Sequence, residues 1–111
     1  MKVKEFAEKL ELKRLTGESG LDKEITGVYA CDLLSWVMSH AVKGNIWITV
    51  ITNINIVAVA VLTEVSCIIV PEGLKVENVT IKKAQQQGIA ILSSSMDTYG
   101  ICCRAYTLLG K

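Results

Sequence analysis

The chain has one proline, one phenylalanine and one histidine among 111 residues, and each scarcity closes off an explanation. With His40 alone, a histidine metal site or a Ser–His relay has too few parts, so no metal and no catalytic residue is expected. The four cysteines, Cys31, Cys67, Cys102 and Cys103, include no C-x-x-C pair. Their spacing fits neither a disulfide framework nor a zinc signature. They read as small buried hydrophobes in a reducing compartment, with a redox pair or a cluster-ligating set as the alternative. There is no G-x-x-x-x-G-K-[ST] run to cradle phosphates, so stand-alone kinase activity is not expected, and no cofactor is implied. Charge of one sign is also missing. Twelve basic and eleven acidic residues leave a net +1 and a pI of about 7.6, too little field to draw in nucleic acid or an acidic membrane. A membrane span needs about 20 apolar residues; here Thr49, Thr52, Asn53 and Asn55 break the longest run, and Ile56 to Leu62 is too short. Met1 to Lys9 is charged, with no apolar segment behind it, which leads to the expectation of a cytoplasmic protein.

What is plentiful is apolar side chain, half of all residues, enough for the core of one domain over 1–111. It concentrates in Asn45 to Glu64, around which the chain is organised. Ile46 to Ile51 is β-branched and apolar on both alternating faces, as in a strand covered on both sides. Asn53 is placed to cap a following helix, on which Ile54, Val57, Ala58 and Val61 would share a face. Ile and Val prefer strands, so a hairpin turning at Thr52 to Asn55 competes with that helix.

The rest of the chain follows an alternation. Val3, Phe6, Ala7 and Leu10 make one stripe of a short amphipathic helix. Leu12 to Leu15 fits a brief edge strand, and Thr16 to Lys23 a polar, mobile loop. Ile25 to Cys31 reads as a buried strand. Asp32 then caps a helix through Val42, with Leu33, Trp36, Val37, His40 and Ala41 inward, stopped by Gly44. Ser66 to Val70 is a strand closed by Pro71-Glu72-Gly73. Asn78 to Gln87 is a helix with Val79 and Ala84 inward. Ile89 to Leu92 is a strand, and a helix from about Met96 to Leu109 turns Tyr99, Cys102, Cys103 and Tyr106 inward. Strand followed by helix, four times over, predicts an α/β fold: a mostly parallel sheet of four to five strands flanked by helices.

Ile25 to Ala41, Trp47 to Ala60, Cys67-Ile-Ile-Val-Pro-Glu-Gly and Gly88-Ile-Ala-Ile-Leu-Ser-Ser together resemble a DRTGG domain. That family is similar to the N-terminal domain of HPr kinase/phosphorylase, and also occurs beside CBS modules in regulated pyrophosphatases and within some phosphotransacetylases. The resemblance implies an α/β regulatory or ligand-sensing module that commonly dimerises, and it favours the helical form of residues 54 to 63. The five-letter motif itself is absent: Val70-Pro-Glu-Gly occupies the turn that would align with its Gly-Gly.

In a parallel sheet all strands deliver their next residues to one rim, where open α/β sheets bind ligands. Asp32, Thr52, Asn53, Glu72, Gly73, Ser93, Ser94 and Ser95 are therefore the candidate ligand-binding residues. Helix starts there would offer N–H groups to a nucleotide or phosphorylated metabolite. Each residue taken alone is equally an ordinary cap. The leading expectation is a non-catalytic sensor that acts on a partner protein; the alternative is a scaffold without a small ligand. Surplus apolar surface suggests a homodimer through the N-terminal helix and the 32–43 helix, including Trp36.

Overall fold

A computed structural model describes residues 1–111. Five strands, β1 (Lys13–Arg14), β2 (Gly27–Ala30), β3 (Asn45–Ile48), β4 (Cys67–Val70) and β5 (Ile91–Ser93), form one sheet in the order β1-β5-β4-β3-β2. β2 to β5 run parallel, with Val28 beside Ile46, Ile46 beside Cys67 and Ile68 beside Ile91. β1 alone is antiparallel, against β5. The helices are α1 (Val3–Lys9), α2 (Leu34–His40), α3 (Asn55–Thr63), α4 (Asn78–Gln87) and α5 (Thr98–Leu109).

The strand order explains the layering. From β2 to β5 each crossover steps to the next position in the same direction, and crossovers of one hand that never reverse keep their helices on one face. α2, α3 and α4 accordingly cover one side, where Trp47, Ile68, Val70 and Ile91 meet Val37, Ile56, Val57, Ala60 and Ala84. α1 and α5 cover the other, where Ile46, Ile48, Cys67, Ile69 and Leu92 meet Phe6, Leu10, Ile101 and Ala105. β3 thus sends Ile46 and Ile48 one way and Trp47 the other, all buried, which is why its sequence shows no polar alternation. Each such side chain contributes roughly 1.5–3 kcal/mol. The buried indole N–H of Trp47 donates to the Cys31 carbonyl at 2.9 Å, so its burial leaves no donor unmet.

Residues 55–63 are helical, so the hairpin is excluded, but the inward face differs from the expected one. Ile56, Val57, Val59 and Ala60 are buried, while Ile54, Ala58 and Val61 face out. The helix is apolar all round, and packing against β3, β4 and α4 selects a stripe that spacing alone leaves open. The same holds at α5, where Ile101 and Ala105 go inward while Tyr99, Cys103 and Tyr106 are exposed. In α4, Thr80 with Ala84 faces in and Val79 faces out.

Three further expectations are corrected. β2 is an edge strand and only partly covered, because its outer side has no neighbour. α2 stops at His40, and its only buried residue is Val37. The 16–23 loop is anchored: the Thr16 hydroxyl accepts from the Ile91 N–H at 3.0 Å, and a Cβ on Gly20 would stand 2.7 Å from the Ala90 nitrogen.

Candidate functional site

Because β2 to β5 are parallel, the segments after them open on one rim, and all eight candidate residues lie in those segments or end the last strand. Hydrogen bonds divide them into two groups. In the first, Asp32 follows β2 but does not cap α2, whose start has no side-chain cap. Its Oδ1 instead accepts from the Thr49 hydroxyl and the Val50 N–H, both at 2.9 Å. Those donors lie just past the end of β3, where the ladder no longer pairs them with β2, so the carboxylate satisfies them and ties the two strand ends together.

Asn53 does act as a cap. Its Oδ1 accepts from the Asn55 N–H at 3.0 Å and its carbonyl from the Ile56 N–H at 3.2 Å. Thr52 contributes through its carbonyl, which accepts from the hydroxyl of buried Thr80 at 2.9 Å and so fixes the first turn of α4 against the rim.

The second group joins β4 to β5. The N–H groups of Glu72 and Gly73 donate to the carbonyls of Met96 and Ser94, each at 2.8 Å. Ser94 is buried; its N–H donates to the Val70 carbonyl and its hydroxyl accepts from the Met96 N–H. Ser95 is exposed and Ser93 half-buried, neither with a side-chain hydrogen bond within the protein. Glu72 and Gly73 both adopt left-handed backbone, φ 60° and 62°, and Leu74 N–H closes the turn on the Pro71 carbonyl. Two successive positive φ values are what a Gly-Gly pair supplies without strain. A glutamate there costs about 1 kcal/mol or more. No side-chain hydrogen bond links the two groups.

Sequence reasoning missed three contributors: Thr49 and Thr80, polar residues inside buried elements, and Asp97, whose Oδ1 accepts from Gly100 N–H at 2.7 Å and caps α5. The Asp-x-x-Gly spacing was available as a signal for the last. At the starts of α4 and α5, the N–H groups of Asn78, Val79, Thr98 and Tyr99 have no acceptor within the protein. The segments around the rim carry Asp32, Glu72, Glu77 and Asp97 against Lys75. An anion here would be held by backbone N–H groups rather than by cations.

Two features limit this rim. The strand order never reverses among the parallel strands, so the crevice that forms at a topological switch point is absent. Neither of the cavities of about 500 and 450 Å³ in the surface is lined by any candidate residue. Of the four cysteines expected to be buried only Cys67 is, while Cys31 and Cys102 are half-buried and Cys103 is exposed; burial pushes the Cys67 thiol up to about 12, and burial followed by the adjacent Cys103 raises Cys102. No helix is long and apolar enough to cross a membrane.

The sequence signature described as the DRTGG domain matches residues 5–107. No curated protein matches the chain. Among solved structures, the chain is similar to the CBS and DRTGG domains of the regulatory region of Clostridium perfringens pyrophosphatase, complexed with its activator diadenosine tetraphosphate. The TM-score is 0.69 at 17% identity, covering 94% of this chain and 45% of that one. The likeness is therefore one of fold, and the chain spans less than half the length of that regulatory region.

Proposed function

Because the chain belongs to the DRTGG domain family, matched over residues 5–107, we propose that it is a non-catalytic, ligand-sensing regulatory module. Its ligand is a nucleotide or phosphorylated metabolite held at the carboxyl ends of the parallel strands, and its occupancy is passed to a partner protein. The observation that carries this reading is the gathering, on one rim, of the four post-strand segments, two of which lead into helix starts, those of α4 and α5, whose N–H groups lack acceptors. The similar pyrophosphatase region binds a nucleotide activator, which favours the same ligand class. The acidic balance of the rim favours a phosphate presented with a divalent cation over a bare one. The residues proposed to contact ligand are Asp32, Thr52, Asn53, Glu72, Gly73, Ser93, Ser94 and Ser95.

A thermal-shift screen against nucleotides and sugar phosphates, with and without Mg²⁺, tests it. A binder raises Tm by mass action. A flat screen across the set leaves the second reading, a scaffold without small ligand. One observation favours that second reading: Leu33, Trp36, Met38 and Val42 are all more than half exposed on and around α2. That surface is also the proposed homodimer contact. α1 is not part of it, because its apolar residues Val3, Phe6 and Ala7 are buried.

A further inference from the structure

The larger cavity, about 500 Å³, opens on the opposite rim, at the amino ends of the parallel strands. Thr26, Gly44 and Ser66, each one residue before a strand, form part of its lining, and the last turns of α3 and α4 close over it. This volume lies in the range of small-molecule sites.

The lining sorts into three kinds of surface. One is apolar, made of Ala60, Val61, Val65 and Ile89. A second favours a cation: the carboxyl ends of α3 and α4 carry partial negative charge, and the Glu64 carboxylate sits at the end of α3. Glu64 meets only the exposed ammonium of Lys43, at 3.5 Å, a pair worth little in water and readily exchanged. The third favours an anion. Lys23 is half-buried with no carboxylate within 4 Å, and the other lining carboxylate, Glu24, is engaged by the Met1 ammonium at 3.2 Å. Opposite charges beside an apolar wall suit a small zwitterion with an apolar side chain.

We propose that this cavity binds an apolar α-amino acid. Its carboxylate is taken by Lys23, its ammonium by Glu64 and the carboxyl end of α3, and its side chain lies on Val61, Val65 and Ile89. The site shares no residue with the strand carboxyl rim, so either reading stands or falls without the other.

The test is thermal shift and calorimetry on the whole chain with L-leucine, L-valine and L-phenylalanine. The matched probes are 4-methylpentanoate, which lacks the ammonium, and isopentylamine, which lacks the carboxylate. At ten times its Kd an amino acid raises Tm by roughly 5 °C, while each singly charged probe binds at least tenfold more weakly. Lys23→Met weakens amino-acid binding at least tenfold. Val61→Trp, at an exposed position where the fold tolerates bulk, fills the cavity and gives the same loss. The proposal is overturned if no amino acid shifts Tm up to 10 mM, if the acid or the amine alone binds as tightly, or if a folded Lys23→Met chain binds unchanged.

Discussion

One oxygen of Asp32 receives both the hydroxyl of Thr49 and the N–H of Val50, each at 2.9 Å, so the ends of β2 and β3 are held by a single carboxylate. Hydrogen bonds to a charged acceptor contribute about 1.5–3 kcal/mol when removal strands the donors. Thr49 is buried, and Asp32 is exposed on its other side. Asp32→Ala should therefore lower unfolding stability by about 2 kcal/mol in urea titration, and Asp32→Asn, which keeps the acceptor oxygen, by about half that. A folded Asp32→Ala chain with unchanged midpoint would show that the two bonds are dispensable.

Asn53→Ala should cost about 1 kcal/mol, the usual value of a helix cap, and Asn53→Asp close to nothing. Where a nucleotide binder has been found, binding to Asn53→Ala that falls further than this destabilisation explains places Asn53 at the ligand. Equal binding by the folded variant removes it from the site.

Cys67 supplies a test of pH dependence. Its thiol titrates near 9 when the chain is unfolded and near 12 when buried in the native state. The native chain thus keeps a proton that the unfolded chain loses. The contribution is fully present below about pH 9 and is lost as pH rises from there towards 12. The stability gap between the wild type and Cys67→Ala should narrow over that window in alkaline melts, and a constant gap counts against it. Iodoacetamide at neutral pH should label exposed Cys103 first and leave Cys67 untouched until denaturant is added.

Trp36 stacks on His40 with ring centroids 3.9 Å apart, and the indole is still 52% exposed. If the α2 surface is the homodimer contact, light scattering at micromolar concentration gives about 24 kDa, twice the 12.1 kDa chain. Trp36→Glu should then return the mass to that of one chain without loss of helical circular dichroism. A 12 kDa species for the unmodified protein disproves the dimer.

The succession of elements was legible because its signals are local: β-branched runs for β3 and β4, Pro71 and Gly73 after β4, Gly88 and Gly110 ending helices. Faces were legible only where polar residues contrast with apolar ones. α1 reads correctly, since Lys4, Glu5 and Glu8 oppose Val3 and Phe6. α3 offers no such contrast, and in α5 the large Tyr99 and Tyr106 outweigh the small Ala105 that actually packs. The edge position of β2 depends on strand order, a long-range property that no local run encodes. At the rim, Asn53 was readable as a cap because the oxygen and the N–H it meets are two residues apart. Asp32 was misread because its partners, Thr49 and Val50, are seventeen and eighteen residues away.

The two edges of the sheet are not equivalent. β1 closes the β5 side with two residues, Lys13 and Arg14, whose charge and shortness discourage further strand addition. β2 leaves the outward-pointing N–H and C=O groups of its alternate residues unpaired. A sheet open on one side only can be continued by a second copy in a two-fold arrangement, and that step consumes the open edge of both. The short antiparallel strand at the other end of the sheet thus works against strand-by-strand growth from that side.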